Sequence, residues 1–213
     1  MTTARGDAAD AVATQRSGPG DGGATEGTDP PSKPAGRTAT VAAAFGVLLG
    51  VAAALVALDQ WTKQLVLDAL ADGHEVRILG GLIYLDLTFN AGAAFSFGTG
   101  ITWIFPIFAI VISLGLLWFA RGLRSWPWAV ALGLILGGAQ GNLMDRLFRE
   151  PGPFRGHVVD FISAFGPNGD KFPIFNVADS ALTVGVVLAI ALELFAFRRD
   201  GTRVLAERRS GGA

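Results

Sequence analysis

Four blocks of apolar residues, each close to twenty residues long, alternate with polar connections along this chain. They run roughly over Val41–Leu58, Ile101–Ala120, Trp126–Met144 and Val177–Phe197. A helix of about 20 apolar residues spans the ~30 Å hydrocarbon core of a bilayer, so the pattern predicts a four-helix membrane bundle. Between the first two blocks the period changes. Trp61–Ala71, with Leu65, Val66, Leu67, Ala69 and Leu70, reads as a short helix lying along the interface. Glu75–Leu79, a Gly80-Gly81 break and Leu82–Phe89 read as a pair of strands. Alternation puts Ile83, Leu85, Leu87 and Phe89 on one face, and Tyr84, Asp86 and Thr88 on the other. A small sheet resting on the membrane face is the expected result.

Composition agrees with a membrane protein: 51% of the 213 residues are hydrophobic and only 16% are charged. A net charge of -1 offers no basic field for nucleic acid, and the lack of cysteine excludes disulfides and thiolate chemistry. Two histidines are too few for a His-rich metal centre, and no HExxH and no GxSxG string occurs. Residues 1–38 contain no Phe, Trp, Tyr, Leu or Ile and are expected to form a disordered tail. Ala69-Leu70-Ala71 resembles a signal-peptide cleavage site. The long preceding tail and the intervening Asp59 and Lys63 favour a spanning helix instead. Residues 39–198 form the expected membrane domain, and 199–213 a basic tail. Arg121 and Arg124, the C-terminal Arg198, Arg199, Arg203, Arg208 and Arg209, and Lys33 and Arg37 place both termini in the cytoplasm. The connections 59–100 and 145–176 then face outward, although the second also carries Arg146, Arg149, Arg155 and Lys171.

Polar residues gather at the outward ends of the spans. Asp160, in Val158-Val159-Asp160-Phe161-Ile162, and Asp179, heading the last apolar block, are carboxylates at the edge of hydrocarbon. Ionisable groups there are costly and mark functional sites. Asn176 and Asp179 have the spacing of a helix cap and its third position, which by itself accounts for Asp179. Nothing comparable accounts for Asp160. The turn rich in Gly and Pro between them lets the two meet, and paired carboxylates that share a proton are one solution for amide hydrolysis. Asp59 and Lys63 are four apart and read as an ion pair marking the interface. Gly133, Gly137 and Gly141 give one helix a smooth face, with Gly46 and Gly50 as the expected partner. Asn142, Asp145 and Arg146 read as a polar cap or as part of a site.

Five strings together resemble lipoprotein signal peptidases (signal peptidase II), a family of bacterial membrane aspartyl proteases. They are Asp59-Gln60-Trp61-Thr62-Lys63, Asn90-Ala91-Gly92-Ala93-Ala94-Phe95, Gly141-Asn142-Leu143-Met144-Asp145-Arg146, Val158-Val159-Asp160-Phe161 and Phe175-Asn176-Val177-Ala178-Asp179-Ser180. The resemblance covers roughly residues 41–198. It implies a four-helix bundle with a small extracytoplasmic β-cradle, and a catalytic dyad of Asp160 and Asp179. Asn90, Asn142, Arg146 and Asn176 are implied to line the substrate cleft, with Asp59, Lys63 and Asp145 supporting the architecture. It further implies cleavage of diacylglyceryl prolipoproteins just before the lipidated cysteine, without a metal or other cofactor. The expected setting is the bacterial cell membrane, with membrane lipids as neighbours, the site near the extracytoplasmic face and a monomeric enzyme. The sheet and the segment around Asn90 are expected to clamp the site from above. Gln140 departs from the pattern, since an apolar residue is usual there, and is expected to alter packing around Asn142.

Two other classes compete. A proton- or ion-coupled transporter would use Asp160, Asp179 and Asp145–Arg146 as a relay, but more spans and internal repeats are usual for transporters. A structural subunit would use its polar residues only to pack helices. The Gly-x-Gly-Asp signature of another intramembrane aspartyl protease type is missed by one residue in Gly166-Pro167-Asn168-Gly169-Asp170.

Overall fold

A computed structural model describes residues 40–92 and 102–202. The N-terminal tail, Ala93–Ser96, the start of the second apolar block at Ile101, and Arg203, Arg208 and Arg209 lie outside the described residues. The elements, in order, are α1 (Val41–Ala69), β1 (Val76–Ile78), β2 (Ile83–Asn90), α2 (Ile104–Phe119), α3 (Trp126–Phe148), β3 (Val158–Ala164) and α4 (Val177–Leu194).

Helix α1 begins where Thr40 accepts a bond from the Ala43 N–H (3.2 Å) and continues unbroken for 29 residues. The separate interfacial helix expected over Trp61–Ala71 is instead the upper part of α1. No Gly or Pro interrupts Asp59–Ala69, and Lys63 and Val66 are buried, so packing carries the helix onward. At 1.5 Å per residue it reaches about 43 Å, well beyond a hydrocarbon core. Among the described residues, three helices are long and apolar enough to cross a membrane: Val41–Ala69, Ile104–Gly122 and Val177–Leu194. Helix α3, 23 residues long, is the central element and packs against the other three. Its surroundings are protein, so it tolerates Gln140, Asn142, Asp145 and Arg146 in its last turns.

Close approach to α3 rests on glycine at specific points. A Cβ at Gly133 would stand 2.8 Å from the Leu48 carbonyl, and one at Gly137 would stand 3.0 Å from the Ala52 backbone. At Gly138 it would collide with the Ala178 carbonyl on α4. The small-residue face is therefore used, but Gly46 and Gly50 do not supply its partner. Open space surrounds both. Leu48, Val51, Ala52 and Leu55 sit there instead, because larger side chains fill the hollow that the glycines of α3 leave.

The sheet has three antiparallel strands in the order β1-β2-β3, one more than the strand pair read from the pattern. β3 is built by the string around Asp160, whose alternation is hidden because Val158–Phe161 is buried on both faces. Phe161 and Ile162 both donate to the Phe175 carbonyl (3.1 and 2.8 Å), and Phe175 donates back to Ile162 (3.0 Å). The segment leading into α4 is thus stitched to β3. Leu85, Leu87, Val159 and Phe161 pack with Val66 and Leu70 and seat the sheet on the end of α1.

Candidate active site

One irregularity in the sheet decides where its polar side chains go. Leu85 pairs with Ile162, but Thr88 pairs with Asp160 and Asn90 with Val158, so β2 holds one extra residue between Leu85 and Thr88. An unbroken ladder would set Leu87 opposite Asp160 and Phe89 opposite Val158. The bulge moves Thr88 and Asn90 to those positions, and Phe89 is left 54% exposed. This corrects the simple alternation expected for Leu82–Phe89. Asn90, diagonal to Asp160, donates Nδ2–H to Asp160 Oδ2 at 2.9 Å. Its own Oδ1 accepts from the Gly92 N–H (2.9 Å).

Asp160 is 2% exposed. Its other oxygen, Oδ1, accepts from Asn176 Nδ2 at 2.7 Å. Asn176 and Asp179 form the capping box expected at the start of α4. Asn176 Oδ1 accepts from the Asp179 N–H (2.9 Å), and Asp179 Oδ2 accepts from the Asn176 N–H (3.2 Å). Asn176 therefore touches both carboxylates. Asn142 completes the bridge from α3: its Nδ2 donates to Asp179 Oδ1 (2.7 Å), and its Oδ1 accepts from Asn176 Nδ2 (3.0 Å) and from Lys63 Nζ (3.1 Å). Burial, then the charge of nearby Asp179, lifts the Asp160 carboxyl to about 7, against the opposing bonds from Asn90 and Asn176.

Below this layer lies a fully enclosed ion cluster. Lys63 Nζ is 2.7 Å from Asp59 Oδ2 and 2.8 Å from Asp145 Oδ2, and all three side chains are inaccessible to solvent. The pair expected to mark an interface is thus internal. Asp59 Oδ1 also accepts from the Ala178 N–H (2.9 Å), so a carboxylate on α1 caps the first turn of α4. Asp145 accepts from Arg149 Nε (2.7 Å), Gln60 Nε2 (3.1 Å) and the Val159 N–H (3.2 Å). Gly141 must lack a side chain here, since a Cβ would lie 2.7 Å from Asp59 Oδ2. A buried charge is tolerable only when paired and hydrogen-bonded, and among the described residues no buried side-chain nitrogen or oxygen lacks a partner.

Arg146 is used for the segment that follows β2. Its guanidinium donates to the carbonyls of Ala91 (3.0 Å), Gly156 (3.1 Å) and Gly92, and stands 5.5 Å from the Phe105 ring centre. It holds backbone at the rim of the carboxylate site. Gln140 lies apart from Asn142. It donates to Ser113 Oγ (2.6 Å), which donates in turn to the Ala109 carbonyl (2.7 Å). It lines a groove of about 880 Å³ between α1, α2 and α3, so the departure bears on the α2–α3 contact and not on Asn142.

The fold brings together the candidate site residues: Asp160, Asp179, Asn90, Asn142 and Asn176 in one layer, Asp59, Lys63 and Asp145 beneath it, and Arg146 at its rim. Gln60 and Arg149 were missed. Arg149 is four residues after Asp145, and that spacing was a usable signal. Gln60 bonds across to α3 through Gly141 and Asp145, which nothing local predicts.

Apolar helices of spanning length with a buried, hydrogen-bonded carboxylate cluster at one end define a multi-pass membrane protein. A family profile described as signal peptidase (SPase) II matches residues 51–195. The chain is 47% identical over 165 residues to a lipoprotein signal peptidase of Mycolicibacterium smegmatis, covering 78% of this chain and 67% of that one. Against the lipoprotein signal peptidase of Mycobacterium avium the identity is 44% over 173 residues, covering 80% and 92%. A solved bacterial membrane enzyme, determined in meso at 2.3 Å resolution, superposes with a TM-score of 0.62 at 33% identity, over 70% of this chain and 88% of that one. The chain belongs to the signal peptidase II family, and is by that membership a protease.

Proposed function

We propose that the protein is an aspartic endopeptidase that removes signal peptides from diacylglyceryl-modified prolipoproteins, cutting just before the lipidated cysteine. Family membership supports the substrate class. The chemistry rests on Asn176, which hydrogen-bonds Asp160 through its side chain and Asp179 through its backbone and so holds the two carboxylates on one residue. Sharing one proton, the pair and its surroundings balance. Asp59, Asp145 and the pair carry three negative charges, and Lys63, Arg146 and Arg149 carry three positive ones.

In the reaction, the ionised carboxylate takes a proton from water as its oxygen attacks the scissile carbonyl carbon. The protonated carboxyl gives its proton to the carbonyl oxygen. Collapse of the tetrahedral intermediate breaks the C–N bond, a proton passes to the departing nitrogen, and the dyad regains its single proton. The two aspartates titrate as a unit. Asn90, Asn142 and Asn176 orient the carboxylates, and Asn90 and Asn142 offer amides to an extended peptide. Arg146 fixes the rim against which the peptide lies.

In this reading α3 is a fourth span, both termini are cytoplasmic, and the site lies near the extracytoplasmic face, where a lipidated substrate already resides. The enzyme acts as a monomer among membrane lipids. The deciding experiment follows cleavage of a diacylglyceryl prolipoprotein by the parent and by Asp160→Asn and Asp179→Asn in vesicles. Each variant is expected to lose about 10³-fold or more, given the size of acid–base contributions. Full activity in either would remove the dyad, and no cleavage by the folded parent would leave the transporter reading in its place.

A further inference from the structure

The end of the bundle remote from the carboxylates is also organised, and nothing in the peptidase chemistry uses it. After α2 the chain turns through Ala120–Gly122, and the segment leaving α4 comes back across that turn. The Arg124 N–H donates to the Arg199 carbonyl (2.8 Å), and Trp128 Nε1 donates to the Phe197 carbonyl (2.7 Å). Arg199 Nη1 donates to the Phe119 carbonyl (3.1 Å), eighty residues away in sequence, and its guanidinium lies 3.9 Å from the Phe119 ring centre. These bonds assemble Arg121, Arg124, Arg198 and Arg199, all exposed, on one corner.

Like charges gathered on one corner repel one another, and an anion among them relieves that repulsion. Among the described residues none of the four lies within 4 Å of a carboxylate oxygen. Asp200, adjacent in sequence, acts on Arg198 through its charge but turns one oxygen to the Thr202 N–H (2.8 Å) and hydroxyl (2.7 Å) of its own turn, and it leaves Arg121 and Arg124 without a carboxylate within 4 Å among the described residues. Trp118 and Trp126 flank the corner, 68% and 41% exposed. Exposed Trp at the end of a spanning helix belongs at headgroup depth, and guanidinium groups pair with phosphate through two parallel bonds. A soluble anion would satisfy the arginines but leave both indoles facing water.

We infer that this corner binds the phosphate of an anionic glycerophospholipid, with Trp118 and Trp126 against its glycerol and upper acyl chains. The inference is independent of the peptidase reading. Its test measures lipid retention by native mass spectrometry after transfer of the full chain from vesicles of phosphatidylcholine and phosphatidylglycerol in equal amounts. The parent is expected to retain phosphatidylglycerol preferentially, and 0.5 M NaCl to weaken that preference. Arg121→Gln, Arg124→Gln and Arg198→Gln are expected to lower retention roughly fivefold each. Arg155→Gln with Lys171→Gln, exposed at the other end, is expected to leave it unchanged. Equal retention of the two lipids by the parent would overturn the inference, and so would triple-variant retention equal to the parent's. Displacement of the lipid by millimolar inorganic phosphate would assign the corner to a soluble anion and overturn it as well. The salt series on the parent decides the matter even if the variants fold poorly.

Discussion

Three neighbours acting in opposite directions set the proton affinity of Asp160. Burial and the Asp179 charge raise its proton affinity, while the amides of Asn90 and Asn176 favour the ionised form. With a net value near 7, the proposed dyad is singly protonated in neutral conditions, and cleavage is expected to fall as pH rises through that value. Removing the Asn90 amide takes away a bond to the carboxylate. Asn90→Ala is therefore expected to move this alkaline limb upward, measured as the pH dependence of kcat/KM. Stability follows the same proton. A carboxyl raised from 3.8 to about 7 on folding contributes stability that is full below pH 4 and is lost as pH climbs through 7. The loss is on the order of 4 kcal/mol for such a shift. Asp160→Asn should flatten it, so that thermal denaturation in detergent at pH 5 and pH 8 gives closer midpoints for the variant than for the parent. An equally steep fall in the variant would assign the dependence to other groups.

At the level of elements, helix spacing is set where α3 meets its neighbours. Gly138→Ala pushes a methyl into the Ala178 carbonyl, and Gly141→Ala pushes one onto the Asp59 carboxylate. Each is expected to cost about 1–3 kcal/mol, read as a lowered unfolding midpoint. Gly46→Ala and Gly50→Ala, where open space waits, should change little. Much of this layer was legible in advance. Apolar blocks of spanning length located α1, α2, α3 and α4 to within a few residues, apart from the upper third of α1. The Asn176–Asp179 spacing announced a cap that is present. What escaped was relational. The bulge in β2 has no local signature in Tyr84-Leu85-Asp86-Leu87-Thr88, yet it alone turns Asn90 toward Asp160. β3 was unmarked because a strand covered on both faces does not alternate. The depth of Lys63 depends on Asp145, eighty-two residues later, and spacing within α1 could suggest only the surface pair.

For the whole molecule, the question is which parts face which side of the membrane. With four crossings, the turn at Arg121–Arg124 and the Asp72–Glu75 region lie on opposite sides. The chain lacks cysteine, so single substitutions at Asp72 and Arg124, both exposed, report without background. A membrane-impermeant maleimide added to intact cells is expected to label Asp72→Cys and to reach Arg124→Cys only after permeabilisation. Labelling of both positions from outside would rule out the arrangement.

The bond from Asp59 to the Ala178 N–H ties the first helix made to the last. During synthesis α1 enters the bilayer with Asp59 and Lys63 four residues apart, a pair that neutralises itself while it waits. Asp145 arrives two helices later, and the α4 turn that Asp59 caps arrives last of all. A chain that ends before α4 lacks Asp179, and none can hold Asp160 against Asn176 before the fourth helix docks. If the proposed dyad does the cutting, assembly order acts as a safety catch, leaving a half-made chain with a membrane anchor and no cutting edge.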